Sequence, residues 1–121
     1  MAKHISLGIK GEKLALQFLK EAKYEILETN YKAEKYEVDI IAKQNNILVF
    51  VEVKTRSTDL YGPPDDGVTP QKEEHISEAA DIYMLDYDDF IDIRFDIISV
   101  IFKDNKSRIF HIEDAFFPRN F

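Results

Sequence analysis

The chain has 121 residues, of which 45% are hydrophobic and 32% charged, a composition typical of one globular domain and not of a disordered or fibrous chain. It contains no cysteine, which excludes disulfide scaffolds, cysteine-ligated zinc, iron–sulfur clusters and thiol catalysis, and which fits a cytoplasmic location. No apolar run approaches the roughly 18 residues that a membrane helix needs, and the first residues lack the apolar segment of a secretory signal. We therefore expect a single cytoplasmic domain over residues 1–121 that does not engage a membrane.

The formal net charge of −7 is unevenly distributed. Residues 1–62 carry ten basic and nine acidic side chains, whereas residues 63–121 carry six basic and fourteen acidic side chains. An acidic total argues against a protein that coats DNA non-specifically, but it leaves room for a nuclease whose carboxylates hold metal ions. Any nucleic acid is expected to approach the first half of the chain.

The first half predicts one helix followed by three strands. Apolar residues recur at helical spacing from about residue 6 to 22, and Ser6 is a suitable N-cap. Strands are predicted over residues 24–31, 37–43 and 47–54, and the last of them is almost continuously apolar, as in a central strand covered on both faces. Alternation in the second strand predicts two faces, with Val38, Ile40 and Ala42 on one and Glu37, Asp39 and Ile41 on the other.

The second half predicts a loop, a helix and two more strands. Residues 57–69 are rich in glycine, proline and aspartate and predict a mobile loop within the domain. Thr69 and Pro70 favour a helix start, and that helix is expected to reach about residue 85. Strands over residues 93–102 and 108–112 complete the order α-β-β-β-α-β-β, which predicts a small α/β domain with a mostly antiparallel or mixed sheet.

Polar residues mark one end of the second and third strands. If residues 45–46, both asparagine, form a two-residue hairpin turn, the register places Asp39 opposite Glu52 and Glu37 opposite Lys54. Side chains two apart on a strand share a face, and so do cross-strand partners. The sequence therefore predicts one polar cluster at the end of two otherwise apolar strands.

Two facing carboxylates repel each other, and burial beside apolar strands increases that repulsion. A hard divalent cation resolves the conflict, because Mg²⁺ takes carboxylate oxygens together with waters and substrate phosphate. Such an ion can activate water and neutralise charge that develops on a phosphodiester, and Lys54 could hold the water or stabilise the transition state. The alternative is an exposed salt-bridge cluster at a strand end.

The pattern Asp39…Glu52-Val53-Lys54 resembles the PD-(D/E)xK signature of restriction-endonuclease-like nucleases. More narrowly, the chain resembles the YraN-like family of small bacterial proteins, predicted nucleases similar to archaeal Holliday-junction resolvases. This family usually has glycine where the present chain has Lys23 and Tyr36. The matching segments are Gly11-Glu12 with Ala15, Asn30-Tyr31, residues 37–42 and 48–56, Gly62, Val68, Lys72, Ala79-Ala80, residues 94–96, His111-Ile112 and Ala115-Phe116.

The resemblance implies a restriction-endonuclease-like fold with a central mixed five-stranded sheet flanked by helices. It also implies a DNA endonuclease dependent on Mg²⁺ or Mn²⁺, a hydrolase that acts on branched or otherwise structured DNA in recombination. Asp39 and Glu52 would be metal ligands, with the Val53 carbonyl as a third, and Lys54 would be the catalytic lysine. Glu12 matches a first-helix glutamate that similar resolvases aim into the site, where it would be a further catalytic residue and metal ligand, while the alternative for this residue is a solvated helix position.

Each of the other polar residues near the motif has two possible roles. Glu37 either orients Lys54 or is only a salt-bridge partner. We expect three residues to contact DNA phosphates. Thr55 and Arg56 directly follow Lys54, and Lys72 is at the third position of the second helix. The alternative is that all three are ordinary solvated side chains.

Two other functions remain open from the sequence. The chain could be a non-catalytic module that binds nucleic acid or protein on the same fold, or a structural protein whose polar cluster is an ion-paired strand end. A resolvase that cuts symmetrically needs two active sites, so the nuclease reading also predicts a homodimer. The three histidines show no metal-ligand spacing, and the aromatic residues from Phe116 to the C-terminus are expected either to pack on the core or to form a dimer contact.

Overall fold

The computed structural model describes residues 6–57 and 68–117, so most of the loop predicted over residues 57–69 lies outside the described residues. The order of elements predicted from the sequence is confirmed. Seven elements follow one another: helix α1 (Leu7–Glu21), strands β1 (Glu25–Ala33), β2 (Tyr36–Gln44) and β3 (Ile47–Ser57), helix α2 (Pro70–Met84), and strands β4 (Asp92–Lys103) and β5 (Lys106–Ile112).

The five strands form one sheet in the order β1-β2-β3-β4-β5. Neighbouring strands are antiparallel except β3 and β4, which run parallel because the connection between them crosses over through α2. This mixed sheet confirms the predicted α/β class. Strand β3 is central, and residues 48–51 are completely buried, as their continuous apolar run predicts.

The two helices cover opposite faces of the sheet. Leu48 and Phe50 of β3 pack in the cluster that contains α2, whereas Val49 and Val51 pack in the cluster that contains α1. Since successive strand residues point to opposite faces, the helices lie on opposite sides. Within the described residues, no helix is long and apolar enough to cross a membrane.

Side-chain caps begin both helices at the predicted positions. The Ser6 hydroxyl accepts a hydrogen bond from the Ile9 N–H at 3.3 Å, and the Thr69 hydroxyl accepts one from the Lys72 N–H at 3.1 Å. These bonds satisfy backbone donors that a helix start leaves without intrahelical partners. The cap at Thr69 thus sets the residue at which α2 begins.

The pairing of β1 with β2 is irregular, and this overturns one prediction. Val38 packs on the α2 side of the sheet and Ile40 on the α1 side, so the expectation that they share a face was wrong. The cause lies in β1, where Asn30 has a φ of 51° between the pairs Thr29–Ile40 and Tyr31–Val38. A left-handed residue interrupts the pleat of both strands at Asp39.

Candidate metal centre

The hairpin between β2 and β3 sets the register of the candidate site. Asn45 and Asn46 have φ values of 55° and 64°, as a two-residue turn with left-handed residues requires. The strands pair from Gln44–Ile47 to Ile40–Val51 in the predicted register, but the ladder ends there, so the predicted pairs of Asp39 with Glu52 and of Glu37 with Lys54 are not formed among the described residues. Asp39 and Glu52 are the next residues on the two strands.

Beyond this last pair, the Asp39 carboxyl group accepts a hydrogen bond from the backbone of β3 in place of a backbone carbonyl. The Val53 N–H donates to Asp39 Oδ2 at 2.8 Å, which holds the Asp39 side chain across the end of the ladder. The side chains of Asp39 and Glu52 lie close enough to each other that each changes the pKa of the other.

Burial, more than any other cause, raises the pKa of both acids. It raises the pKa of Asp39, against the lowering effect of the hydrogen bond from Val53. Burial followed by the negative charge of Asp39 raises the pKa of Glu52 to about 7. The pair is therefore held together without enough positive charge to keep both groups ionised at neutral pH.

A lysine of α2 reaches Glu52 from one face of the sheet. Lys72 Nζ lies 3.2 Å from Glu52 Oε2, and the exposed fractions of the two side chains are 50% and 13%. Beside this ion pair is a cavity of about 220 Å³, also lined by Lys54, Val68 and Thr69. Two lysines and one carboxylate thus border a single cavity on the α2 side.

A glutamate of α1 reaches Asp39 from the other face. Burial and then the charge of Asp39 raise the pKa of Glu12, while a hydrogen bond with the Asn30 side chain lowers it. The negative charge of Glu37 also raises the pKa values of Glu12 and Asp39. Glu12 and Glu37 therefore lie near Asp39 in one acidic cluster, and the role of Glu12 in the site stays a prediction.

A fork in the sheet explains how both helices reach the same carboxyl groups. Past Ile40–Val51, β2 stays paired with β1 as far as Ala33–Tyr36, while β3 stays paired with β4 as far as Ser57–Phe102. The opening between the two strand pairs lies at Asp39 and Glu52. Groups from α1 and α2, which are otherwise separated by the sheet, meet there.

The two residues after Lys54, which were expected to contact DNA phosphates, lie in different surroundings. The Thr55 hydroxyl is buried against Gly11 of α1, so close that a Cβ on this glycine would overlap with it. This position favours a packing role for Thr55 over the expected phosphate contact. Arg56 lines a second cavity of about 170 Å³ together with Lys54, Thr55 and Ser99.

The donor set fits a hard divalent cation with few protein ligands. In residues 6–57 and 68–117 no three His, Asp or Glu side chains are grouped closely enough to hold a metal ion. The contacting pair Asp39 and Glu52 matches Mg²⁺ or Mn²⁺, which are commonly bound by one or two carboxylates, with waters and substrate oxygens completing the shell. The Val53 carbonyl as a third ligand stays a prediction.

A second polar cluster was missed at the sequence level. Asp96 of β4 is 0% exposed and accepts hydrogen bonds from Arg94 at 2.9 Å, His111 at 2.7 Å and the Asp114 N–H at 2.9 Å. Arg94 also donates to the Tyr24 hydroxyl at 2.7 Å. An aspartate inside an apolar strand, two residues after an arginine, is the signal that could have revealed this cluster.

Of the C-terminal aromatic residues, Phe116 packs on the core, which is the first of the two expected arrangements, and Phe121 lies outside the described residues. The Phe116 ring lies 5.2 Å from the Phe95 ring and is buried in the core on the α2 side. Phe117 is exposed. Phe116 therefore anchors the end of the described chain to β4.

Residues 11–100 match the model of a family described as "Uncharacterised protein family UPF0102". The chain belongs to this family. This is the YraN-like family that the sequence motifs resemble. Full-length relatives support the assignment: UPF0102 proteins of Christiangramia forsetii and Flavobacterium psychrophilum are each 47% identical over 117 residues, covering 97% of this chain and 98% of the relative. A UPF0102 protein of Bacteroides thetaiotaomicron is 42% identical over 118 residues, covering 98% of both chains.

Proposed function

We propose that this protein is a DNA endonuclease dependent on Mg²⁺ or Mn²⁺ that hydrolyses phosphodiester bonds in branched or otherwise structured DNA. One observation carries the proposal: Asp39 and Glu52 are held in contact at a fork in the sheet, with raised pKa values and a lysine-lined cavity beside them. Holding two acids together in this way destabilises the metal-free protein. A divalent cation would relieve that repulsion.

Each residue has a distinct task in this proposal. Asp39 and Glu52 would hold the metal, and the hydrogen bond from the Val53 N–H keeps the Asp39 carboxylate in one orientation. When bound, the metal supplies Lewis acidity and lowers the pKa of the attacking water. Lys54 faces the developing negative charge of the phosphoryl oxygens, and Glu12 supplies a further acid at the opposite side of the fork.

The substrate is held by positive charge around the cavity. Lys54 and Lys72 border it, and α2 begins beside it, so that the positive end of the helix dipole points to the same region. Arg56 extends the positive charge along β3. Water attacks phosphorus in line, and the bond to the leaving oxygen breaks. Symmetric cutting of a junction would require two copies of the chain.

The decisive experiment compares cleavage of a labelled four-way junction, a linear duplex and a single strand. Each is incubated with Mg²⁺, Mn²⁺ or EDTA, using the wild type, Asp39→Asn and Lys54→Met. We expect metal-dependent cutting that falls by about 10²- to 10³-fold in each variant, because each loses charge stabilisation in the transition state.

The matched control is Lys20→Met, which removes a lysine from the last turn of α1, about 12 Å along the helix from Glu12. It should cut like the wild type. Cutting that survives Asp39→Asn would refute this assignment of the site. Junction binding without cutting under any condition would instead identify a non-catalytic binding module.

A further inference from the structure

We propose that Lys72 is an exchangeable counter-cation, which occupies Glu52 when metal is absent and moves to the substrate phosphate when metal binds. The proposal rests on the metal centre of the proposed function. It adds that metal binding and DNA binding are coupled through one side chain of α2.

The backbone of Lys72 is held in place, whereas its ammonium group can move. Its backbone N–H is held by the Thr69 hydroxyl at 3.1 Å, in the first turn of a 15-residue helix. Its ammonium group lies 3.2 Å from Glu52 Oε2, while half of the side chain is exposed. Rotation about the four side-chain bonds can therefore carry the charge away without moving the helix.

The charges show why this pairing is incomplete. Asp39 lies close to Glu52, and Glu37 adds negative charge near both Asp39 and Glu12. A single ammonium group on Glu52 cannot neutralise this cluster. A divalent cation held by Asp39 and Glu52 would bring twice the charge of the Lys72 ammonium to these carboxyl groups, so the two cations would compete for Glu52.

The position of Lys72 in its helix supports a role beyond helix stability. With Thr69 as N-cap, Lys72 is the third helical residue, where a glutamate or glutamine is favourable and a positive charge opposes the helix dipole. The ion pair with Glu52 offsets this unfavourable placement. The position of Lys72 therefore favours contact with the acidic cluster and the cavity, although it lowers the stability of α2.

The cavity shows where the displaced ammonium group would go. Lys72 and Lys54 both line the space of about 220 Å³ that adjoins Glu52. Once a metal takes over Glu52, the charge of Lys72 is available to an anion in that cavity. A phosphate of the substrate is such an anion. By linkage, metal would then strengthen phosphate binding, and phosphate would strengthen metal binding by the same factor.

The test measures metal affinity without DNA, by counting bound Mn²⁺ with electron paramagnetic resonance at about pH 8, where protons compete less for the carboxylates. The proteins are the wild type, Lys72→Met, Lys72→Arg and the control Lys20→Met. We expect Lys72→Met to bind Mn²⁺ about tenfold more tightly than the wild type, with Lys72→Arg and Lys20→Met unchanged. With saturating Mn²⁺, Lys72→Met should bind the four-way junction about tenfold more weakly.

Unchanged or weaker Mn²⁺ binding by Lys72→Met, with normal binding by the wild type, would overturn the exchange but leave the proposed metal centre intact. Absence of Mn²⁺ binding in every protein would overturn both. A measurement on the wild type alone guards against a misfolded variant: the ¹⁵N signal of the Lys72 ammonium should shift when Mg²⁺ is added. A Lys72 signal unaffected by saturating Mg²⁺ would also refute the exchange.

Discussion

Two acidic clusters of this protein are built in opposite ways. Burial alone would raise the pKa of Asp96, but hydrogen bonds from His111, Arg94 and the Asp114 N–H together lower it. In the other cluster, burial raises the pKa values of Asp39 and Glu52, and the donors shown for them are one backbone N–H and the Lys72 ammonium.

The difference separates a structural acid from a candidate functional one. Asp96 joins β4, β5 and the end of α1 through Arg94, His111 and Tyr24, and its charge is compensated within the fold. For Asp39 and Glu52, the positive charge that the described residues supply does not outweigh the effect of burial, so their pKa values stay raised. A ligand that supplies positive charge gains free energy there and gains none at Asp96.

The largest expected effect comes from breaking the compensated cluster. Asp96→Asn leaves Arg94 partly buried without its counter-ion, so we expect the free energy of unfolding to fall by about 3–5 kcal/mol. Urea denaturation followed by circular dichroism measures this loss. Asp88→Asn, at an exposed aspartate, should change stability by less than about 0.5 kcal/mol. A loss below about 1 kcal/mol for Asp96→Asn would mean that the cluster is not a major support of the fold.

The pH dependence should have opposite signs in the two clusters. Glu52 has an ordinary pKa of 4.5 and a folded pKa of about 7, so the folded protein binds more protons between these values. Stability in EDTA should therefore fall by about 2 kcal/mol as pH rises from 5 to 7. Asp96, with its lowered pKa, contributes stability above pH 3.8 that is lost as pH falls through its folded pKa.

Thermal unfolding across pH 3–8, with EDTA and with saturating Mg²⁺, measures both effects. A maximum near pH 5 in EDTA is expected, and Mg²⁺ should remove the decline above it because the metal favours the ionised carboxylates. Stability that rises steadily from pH 5 to 7 in EDTA would contradict the raised pKa of Glu52.

Replacing Glu52 by a neutral residue should raise the free energy of unfolding. Glu52→Gln keeps the size of the side chain but removes the repulsion from Asp39, so we expect a gain of about 1–2 kcal/mol in EDTA at pH 8. The lost ion pair with half-exposed Lys72 offsets little of this gain. Glu28→Gln, at an exposed position of β1, is the matched control. Equal losses of stability in Glu52→Gln and Asp96→Asn would erase the distinction between the clusters.

The smallest expected effect on stability comes from a residue that belongs to neither acidic cluster. Lys23, just after α1, has a φ of 72°, a conformation that glycine adopts without strain. Lys23→Gly should therefore raise the free energy of unfolding by about 1 kcal/mol. No change, or a loss, in chemical denaturation would show that the Lys23 side chain stabilises the turn in another way.

Local signals predicted much of the fold and part of the site. Side-chain caps, hairpin asparagines and apolar periodicity depend on neighbours in sequence, so they predicted the helix starts and the register of the β2–β3 hairpin as far as Ile40 and Val51. The face of Val38 could not be predicted, because it depends on Asn30 in the adjacent strand. Glu12 was reached only through family resemblance, since helical spacing does not show which sheet residues it meets.

Contacts between distant segments account for the remainder. Arg94 and Tyr24 are 70 residues apart and meet only once β4 is paired beside β3. The ion pair between Lys72 and Glu52 depends on how α2 packs on the sheet, which its own sequence does not specify. The same holds for the approach of Gly11 to Thr55.

The irregular course of β1 has a consequence for how copies of this protein behave in concentrated solution. Strand β1 is an edge of the sheet, and it combines a shift of register between Ile26 and Glu28 with the left-handed Asn30. A straight strand from another molecule cannot form a continuous ladder with such an edge. The irregularity beside Asp39 therefore also disfavours edge-to-edge pairing at β1, so straightening β1 should reduce solubility as well as disturb the site.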